Sequence, residues 1–467
     1  MRILLGLAIL IALVDGSLSF LHYFSEDGYL PLSITPRESF SVLYLSDDPV
    51  FVSIVFILSI IAALLFTAGF QTKITGIVTW VLVVSLHNRN THIVAGGDGV
   101  IEVILFWIMF LPVGDRYSYD ALRRDDADLP LGENGYFSLY NFGLFLQIFT
   151  IYFVTAAVKN SPEWNAERSA VFYSFKLEYI TRPLAQSLLA YPDLMKALTF
   201  LTIQIERLAP FFLLIPNNTF RVFAIVTLML FHIATGILFT VGVFPFACCA
   251  ALAGLLPSSA IDGLRLPEKL IAPLASRLHR LVSGVPRFPD IISLYDRVSK
   301  PLRFAKVVLF SSSLLYLVLF CLARMQFIPP AVIRGPVGKF ATITNLKQDW
   351  RMFAPAPSKN DYWFIIAGET QNGNKIDLHD FDCLRTYDKD YLTHRGRQDH
   401  RWTLYMRSLQ SKPDERHHAF STSLKKRWDK LHPDDTIRSV TIINFMEPTT
   451  TCEVDPVYEE VLYSRVF

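Results

Sequence analysis

Several ionisable side chains interrupt the apolar stretches of this sequence, and Lys159 is the most suggestive of them. An uncharged run from 137 to 158 ends directly at this lysine, and Ser161-Pro162 follows. A lysine in water is protonated near neutral pH, whereas desolvation at a membrane edge favours the neutral amine, which is a base. Lysines also end membrane spans as interfacial anchors. The residue type therefore leaves two interpretations, a general base and an anchor.

A second group of polar residues lies in the segment 85–103, SLHNRNTHIVAGGDGVIEV. Asp98 and Glu102 are four residues apart and would share one face of a helix. Asp98 also suits a helix cap, and Arg89 suits an interfacial anchor. His92 could orient or polarise the oxygen atoms of a substrate. Each of these residues thus has both a structural and a chemical interpretation.

Two further stretches place ionisable residues at membrane depth. Glu206 and Arg207 are neighbours in TIQIERLAP, and His232 lies within LMLFHIATG. Adjacent helical residues point about 100° apart, so at least one of Glu206 and Arg207 must face the protein interior. We expect Glu206 to face it and to pair with a cation or donor of another span, because a carboxylate in hydrocarbon is costly. A lone buried histidine such as His232 more often packs through a hydrogen bond than reacts.

The composition places these residues in a membrane protein. Of the 467 residues, 52% are hydrophobic and only 18% are charged, which is too apolar for an ordinary soluble domain. The net charge of +2 also gives no concentrated basic face for nucleic acid. A membrane span needs about twenty apolar residues. About nine stretches approach that length: 3–22, 50–70, 74–88, 99–114, 137–158, 194–215, 221–240, 241–257 and 305–324.

Lysine and arginine positions predict the orientation of this helical bundle. The connection 257–303 is by far the most basic, so it is expected in the cytoplasm. With nine spans, the N-terminus is then cytoplasmic and the C-terminus lies outside. The loops 87–98 and 159–193 both fall on the outer side. We therefore expect Lys159 and His92 to line one outer-leaflet cavity that also reaches Asp98 or His232.

The chain changes character after its last apolar stretch. Residues 1–325 are expected to form the membrane bundle, and residues 326–467 an extracytoplasmic domain of α+β or β-sandwich type. Within 362–381, Asn372-Gly373 separates two strand-like runs and indicates a hairpin. The segment 421–432, STSLKKRWDKLH, indicates a helix.

The cysteines and histidines do not have metal-site spacing. No HExxH or zinc-type cysteine pattern occurs in the sequence, and His87 and His92 are five residues apart, so no metal is expected. Cys383 and Cys452 lie in polar sequence. In an oxidising compartment they either form a disulfide or remain as two free thiols.

Four blocks of the sequence resemble the horizontally transferred transmembrane (HTTM) family. This family includes the vitamin K-dependent gamma-carboxylase and the bacterial sporulation-delaying protein B group. The resemblance covers nearly the whole chain. The blocks are SLHNRNTHIVAGGDGVIEVILFWIMFLPVGDRYSYD, LQIFTIYFVTAAVKNSPEW, QIERLAPFFLLIPNNTFRVFAIVTLMLFHIATGILFTVGVFPF and LKQDWRMFAPAP.

The resemblance to the carboxylase implies roles for several residues. There a membrane lysine deprotonates reduced vitamin K, which oxygen converts to a stronger base that removes a glutamate γ-proton so that carbon dioxide can add. Lys159 is similar to this lysine, although Val158 replaces the first lysine of the family's pair. Asn90 and His92 resemble the family's asparagine-histidine pair, with one extra residue between them. His232 resembles a histidine of the corresponding segment.

Three functions follow from the sequence and the resemblance. The first is a membrane enzyme in which Lys159 and His92 act on a vitamin K-like or menaquinol-like quinol that enters from the side of the bundle. The second is a maturation or export factor for a secreted peptide, and the third is a lipid-binding protein whose polar residues only join the helices. The bacterial inner membrane is the expected location. The expected binding residues are Arg89, Asn90, Asp98, Glu102, Glu206 and His232.

Overall fold

The structure is a computed structural model in which helices build the N-terminal two thirds of the chain and a sheet follows. It describes residues 1–122, 139–257, 260, 300–383, 389, 400–411, 414–449 and 457–467. The helices up to residue 257 are α1 (Arg2–Asp15), α2 (Phe20–Phe24), α3 (Pro49–Ala68), α4 (Thr72–Arg89), α5 (Gly96–Ile108), α6 (Tyr119–Leu122), α7 (Leu139–Val158), α8 (Pro162–Asn165), α9 (Ala170–Phe175), α10 (Pro183–Leu188), α11 (Pro192–Leu214), α12 (Asn218–Leu238) and α13 (Phe244–Ala253). Those after it are α14 (Lys300–Arg324), α15 (Gly335–Ile343), α16 (His400–Ser408) and α17 (Glu415–Leu431).

Every one of the predicted spans contains a helix. Five helices of the described chain are long and apolar enough to cross a membrane, namely α3, α7, α11, α12 and the 303–324 portion of α14. The protein is therefore an integral membrane protein. Helices α1, α5 and α13 have 14, 13 and 10 residues, fewer than the roughly twenty that a span needs. A total of nine spans thus stays a prediction.

Local sequence signals fix the ends of the long helices. The Asp48 carboxylate accepts from the backbone N–H groups of Val50 and Phe51 and so caps the start of α3. The same helix ends at Gly69, whose φ of 74° is a left-handed conformation that glycine adopts without strain. Asn217 caps α12 in the same way as Asp48 caps α3. Because α11 ends at Leu214 and α12 begins at Asn218, a connection of only a few residues joins these two helices.

The C-terminal region contains one antiparallel sheet of five strands in the order β3-β2-β1-β4-β5. Its long central strands, β1 and β4, pair from Asn360 opposite Pro448 to Thr370 opposite Ile437. The strands are β1 (Asn360–Thr370), β2 (Lys375–Asp377), β3 (Asp382–Cys383), β4 (Ile437–Pro448) and β5 (Tyr458–Val466). Phe420 of α17 is buried in one core cluster with Val440 of β4.

The C-terminal predictions are therefore confirmed in part. The hairpin forms at Asn372-Gly373, where Gly373 has a φ of +82°, and α17 covers most of the predicted helix. The α+β alternative is the one observed: among the described residues there is a single sheet, so the β-sandwich alternative is wrong. The pairing of Cys383 with Cys452 falls outside the described side chains. The extracytoplasmic placement and the domain boundary at 325 remain predictions.

Hydrogen bonds join the C-terminal region to the helices. The Tyr405 hydroxyl donates to the Tyr29 carbonyl at 2.8 Å, and the Gln147 side-chain amide donates to the Gln348 side chain at 2.8 Å. Ser423 donates to the backbone carbonyl of Asp27 at 2.6 Å. Tyr29 and Asp27 lie in the connection between α2 and α3, and Gln147 lies on α7, so the C-terminal region packs against both parts of the bundle.

Candidate functional site

One face of α7 carries a stripe of polar residues that ends at Lys159. Tyr152, Thr155 and Lys159 follow the i, i+3, i+7 spacing, which places them on one side of a helix. The helix ends at Val158, and Pro162 starts α8 at its first turn, so Lys159 sits at the junction of the two helices. All three side chains line a cavity inside the bundle.

The Lys159 side chain pairs with Glu206 of α11. Its Nζ donates to Oε1 at 2.7 Å and to Oε2 at 2.6 Å. The two side chains are only 3% and 6% exposed. As the sequence predicts, Glu206 faces the interior and finds a cation on another helix, whereas the neighbouring Arg207 donates outward to the Asn165 side chain. Lys159 is thus not an interfacial anchor in contact with water.

An aromatic ring completes the surroundings of this pair. The Lys159 Nζ lies 4.6 Å from the centre of the Trp164 ring, a distance typical of cation–π contacts. The Trp164 indole N–H donates to the Phe353 carbonyl at 2.9 Å, which ties α8 to the C-terminal region. The adjacent Glu163 binds Lys359 at 2.7 Å, and this hydrogen bond lowers the pKa of Glu163 to about 2.

A second polar contact lies deeper in the same cavity wall. His232 of α12 is buried, and its Nε2 is 2.7 Å from the Tyr152 hydroxyl. The Nδ1 atom has no hydrogen-bond partner among the described residues. The rings of Phe231 and Phe244 stand edge-on to the imidazole. A buried polar atom without a partner is uncommon in folded proteins, so Nδ1 is a candidate for contact with a bound molecule.

The cavity that joins these groups has a volume of about 1000 Å³. Its walls come from α7, α9, α11, α12, the 351–358 segment and α16, and apolar side chains form most of them. Small-molecule sites commonly measure about 300–1,000 Å³ and combine apolar walls with a few polar groups. The cavity therefore has the size and chemistry to hold a largely apolar ligand.

Two rims of different chemistry border this cavity. Leu201 and Leu230 line it and are also exposed on the apolar outer surface of α11 and α12. Arg351 and Arg407 line it as well and are exposed in the C-terminal region. The Arg407 guanidinium lies 4.9 Å from the centre of the Tyr179 ring. The Arg351 guanidinium is paired with the Asp349 carboxylate at 2.5 Å, so the cavity connects an apolar surface with a polar one.

Asp98 and Glu102 belong to a separate cluster and are not among the described residues that line the cavity. The Glu102 carboxylate contacts His87 Nδ1 at 2.5 Å and accepts from the Asn345 side chain at 2.5 Å. Asp98 accepts from the backbone N–H of Ala95 at 2.8 Å, which caps α5, and Arg401 lies 3.4 Å away. These carboxylates connect α4 and α5 with the C-terminal region.

His92 is not among the described residues that line the cavity, so the expected cavity shared by Lys159 and His92 is not observed, and a catalytic role of His92 stays a prediction. The His92 ring faces the Arg416 guanidinium at 3.5 Å and stands edge-on to Tyr405. Burial and the charge of Arg416 lower the pKa of His92. His92 lies there because the C-terminal region covers the turn after α4, where its residues Tyr405 and Arg416 contact the His92 side chain.

Arg89 and Asn90 have structural partners in the same area. The Arg89 guanidinium is buried and donates to Thr35 and to the Leu30 carbonyl, both at 2.8 Å. The Asn90 side chain donates to the Tyr23 carbonyl at 3.1 Å and accepts from the His92 backbone N–H. Of the sequence-predicted site residues, the structure therefore brings together only Lys159, Glu206 and His232 at the cavity.

Sequence reasoning missed Tyr152 and Trp164 as parts of the site. Tyr152 stands seven residues before Lys159, and that interval returns to the same face of a helix. The signal for Tyr152 was therefore present in the spacing. The position of Trp164 depends on the turn at Pro162, which periodicity does not describe.

Residues 2–257 match the family model of the HTTM domain. This segment contains Lys159, Glu206 and His232. No curated protein and no solved structure matches the chain.

Proposed function

Because this chain belongs to the HTTM domain family, we propose that it is a membrane enzyme that uses Lys159 as a base on a lipophilic quinol. The buried contact of Lys159 with Glu206 in the wall of a large apolar cavity carries this proposal. Burial shifts the protonation equilibrium of a lysine readily, which is why buried lysines at enzyme sites serve as general bases. The reactive pair is thus the lysine together with Glu206.

The contact with Glu206 determines how Lys159 obtains a free lone pair. An ammonium that donates to both carboxylate oxygens is an acid rather than a base. To act as a base, Lys159 has to pass one proton from Nζ to the Glu206 carboxylate, which leaves an amine and a carboxylic acid in hydrogen-bond contact. Glu206 then holds that proton while the amine accepts another from a substrate hydroxyl.

The cavity fits a quinol in both size and polarity. Its apolar walls suit a ring system with a hydrocarbon tail, and the Lys159–Glu206 pair and His232 offer polar contacts for ring oxygens. When bound, a reduced vitamin K or menaquinol would supply a ring that reacts with oxygen. The protein's part is to remove a hydroxyl proton, to orient the ring and to exclude water.

The experiment is to supply the purified protein in lipid with reduced menaquinone and oxygen and to measure quinone epoxide. Epoxide formation consumes one quinol and one oxygen molecule and releases one water. We expect epoxide from the natural protein above the level of lipid alone, and none from Lys159→Ala. Equal amounts from both proteins would contradict the proposed role of Lys159. No epoxide from the natural protein would favour the maturation or export function, with a secreted peptide as partner.

The orientation belongs to the same proposal. An extracytoplasmic C-terminal region in a bacterial inner membrane would put the polar rim of Arg351 and Arg407 on the outer side. A second, water-soluble substrate such as a secreted peptide would then reach the cavity from that side, while the lipophilic substrate remains in the membrane.

A further inference from the structure

We propose that lipophilic molecules enter the cavity directly from the bilayer, through a portal between α11 and α12 bordered by Leu201 and Leu230. This proposal rests on the proposed function only where it identifies the ligand as a quinol. The portal itself applies to any membrane-dissolved molecule of suitable width.

Helices α11 and α12 form a hairpin that is connected at one end only. A short connection joins the end of α11 at Leu214 to the start of α12 at Asn218, which holds the two helices together there. The cavity is lined by the 198–206 part of α11 and by the 227–238 part of α12. Both parts lie away from the connection, so the cavity occupies the open end of the hairpin.

Exposure identifies the place where the cavity meets the outer surface. Leu201 is 53% exposed and Leu230 is 60% exposed, yet both line the cavity. A leucine that lines the cavity and is also more than half exposed lies in the outermost layer of the wall, and there we place the opening. The surrounding outer surface of α12 is apolar and includes the exposed side chains of Ile233 and Ile237, while the Arg168 guanidinium lies 4.8 Å from the centre of the Phe200 ring on α11. This surface belongs to two helices that are long and apolar enough to span a membrane, so the opening faces hydrocarbon.

The interior of the portal offers a path to the reactive groups. Thr202 and Ile205 follow Leu201 along the cavity-lining side of α11, and Glu206 comes next. A ligand that moves inward between the helices therefore passes from an apolar rim to the Lys159–Glu206 pair. A long hydrocarbon tail can remain in the portal while the polar head reaches the pair, which favours tailed ligands over short ones.

The test measures access to the cavity without any need for turnover. Thr155 is buried on α7 and lines the cavity, so Thr155→Cys places a thiol of similar size on its inner wall. The protein in lipid vesicles is exposed to a long-chain alkyl maleimide dissolved in the bilayer or to a sulfonated, water-soluble maleimide. Modification is quantified by mass spectrometry of the peptide that contains position 155, so native cysteines do not interfere.

We expect the bilayer reagent to label Thr155→Cys, and added Leu201→Trp or Leu230→Trp to slow that labelling by about tenfold or more. The control is Leu208→Trp, at a 52% exposed position of α11 that is not among the described cavity-lining residues. It should leave the rate unchanged, and none of the three tryptophans should alter labelling by the water-soluble reagent.

Equal rates for the bilayer reagent in all variants, or no labelling by it, would overturn the portal. Slowing by Leu208→Trp to the same degree would do so as well, because the effect would then be general to the lipid-facing surface. These outcomes are independent of epoxide formation, so a failed portal and a failed base hypothesis remain distinguishable.

Discussion

Lys159→Arg should eliminate turnover while the protein stays folded. A guanidinium keeps its proton at any useful pH and has no free lone pair, so it cannot act as a base. It can still donate to both oxygens of the Glu206 carboxylate, so the buried charge pair is kept. Loss of a general base typically lowers the rate by about a hundredfold to ten-thousandfold. Epoxide formation measures the loss of turnover, and thermal unfolding of the same sample shows whether the variant stays folded.

The matched control is Lys196→Arg, which makes the same chemical change on α11. Lys196 is exposed and contacts only the neighbouring Asp193 in the described structure. We expect this variant to retain full activity. If Lys159→Arg were as active as the control, Lys159 would have only a positioning role through its charge, and the base hypothesis would be wrong.

Glu206→Leu should destabilise the protein by about 3–5 kcal/mol, because removal of one partner of a buried ion pair leaves the other charge uncompensated. The Lys159 side chain is 3% exposed and so has little access to water. Unfolding of the purified protein by heat or denaturant in a single detergent would measure the change in the free energy of unfolding. Asp193→Asn, at the exposed ion pair on the same helix, should leave the free energy of unfolding nearly unchanged.

A double variant separates stability from chemistry. Lys159→Met combined with Glu206→Leu replaces both charges by apolar groups, and such replacements often recover the lost stability. We expect the double variant to unfold close to the natural protein and to form no epoxide. A small effect of Glu206→Leu alone would mean that the lysine finds another partner or water. That result would contradict the buried pair.

Local patterns in the sequence predicted the elements of the fold well. The apolar stretches all contain helices, and Asn372-Gly373 forms its hairpin, because these features depend on neighbouring residues. The choice between one sheet and two depended on the pairing of β1 with β4. These strands are distant in the chain, and no local signal identifies their partners.

The site was predicted in part for a similar reason. The cost of placing a carboxylate in hydrocarbon was sufficient to predict that Glu206 faces the interior. Its partner Lys159 could not be predicted, because the pairing depends on how α7 packs against α11. His92 was assigned to the Lys159 site because both loops were expected on one side of the membrane. Membrane sidedness does not fix the direction of a side chain, and contacts with Arg416 and Tyr405 hold His92 elsewhere.

The most direct measurement of the central claim is an experimental structure of the protein in a lipid nanodisc with added menaquinol under anaerobic conditions. We expect ring density in the cavity, with one ring oxygen within hydrogen-bond distance of Lys159 or Glu206. The tail should extend between α11 and α12. A cavity without ring density at saturating quinol, or a quinol bound elsewhere with the Lys159–Glu206 pair undisturbed, would contradict it.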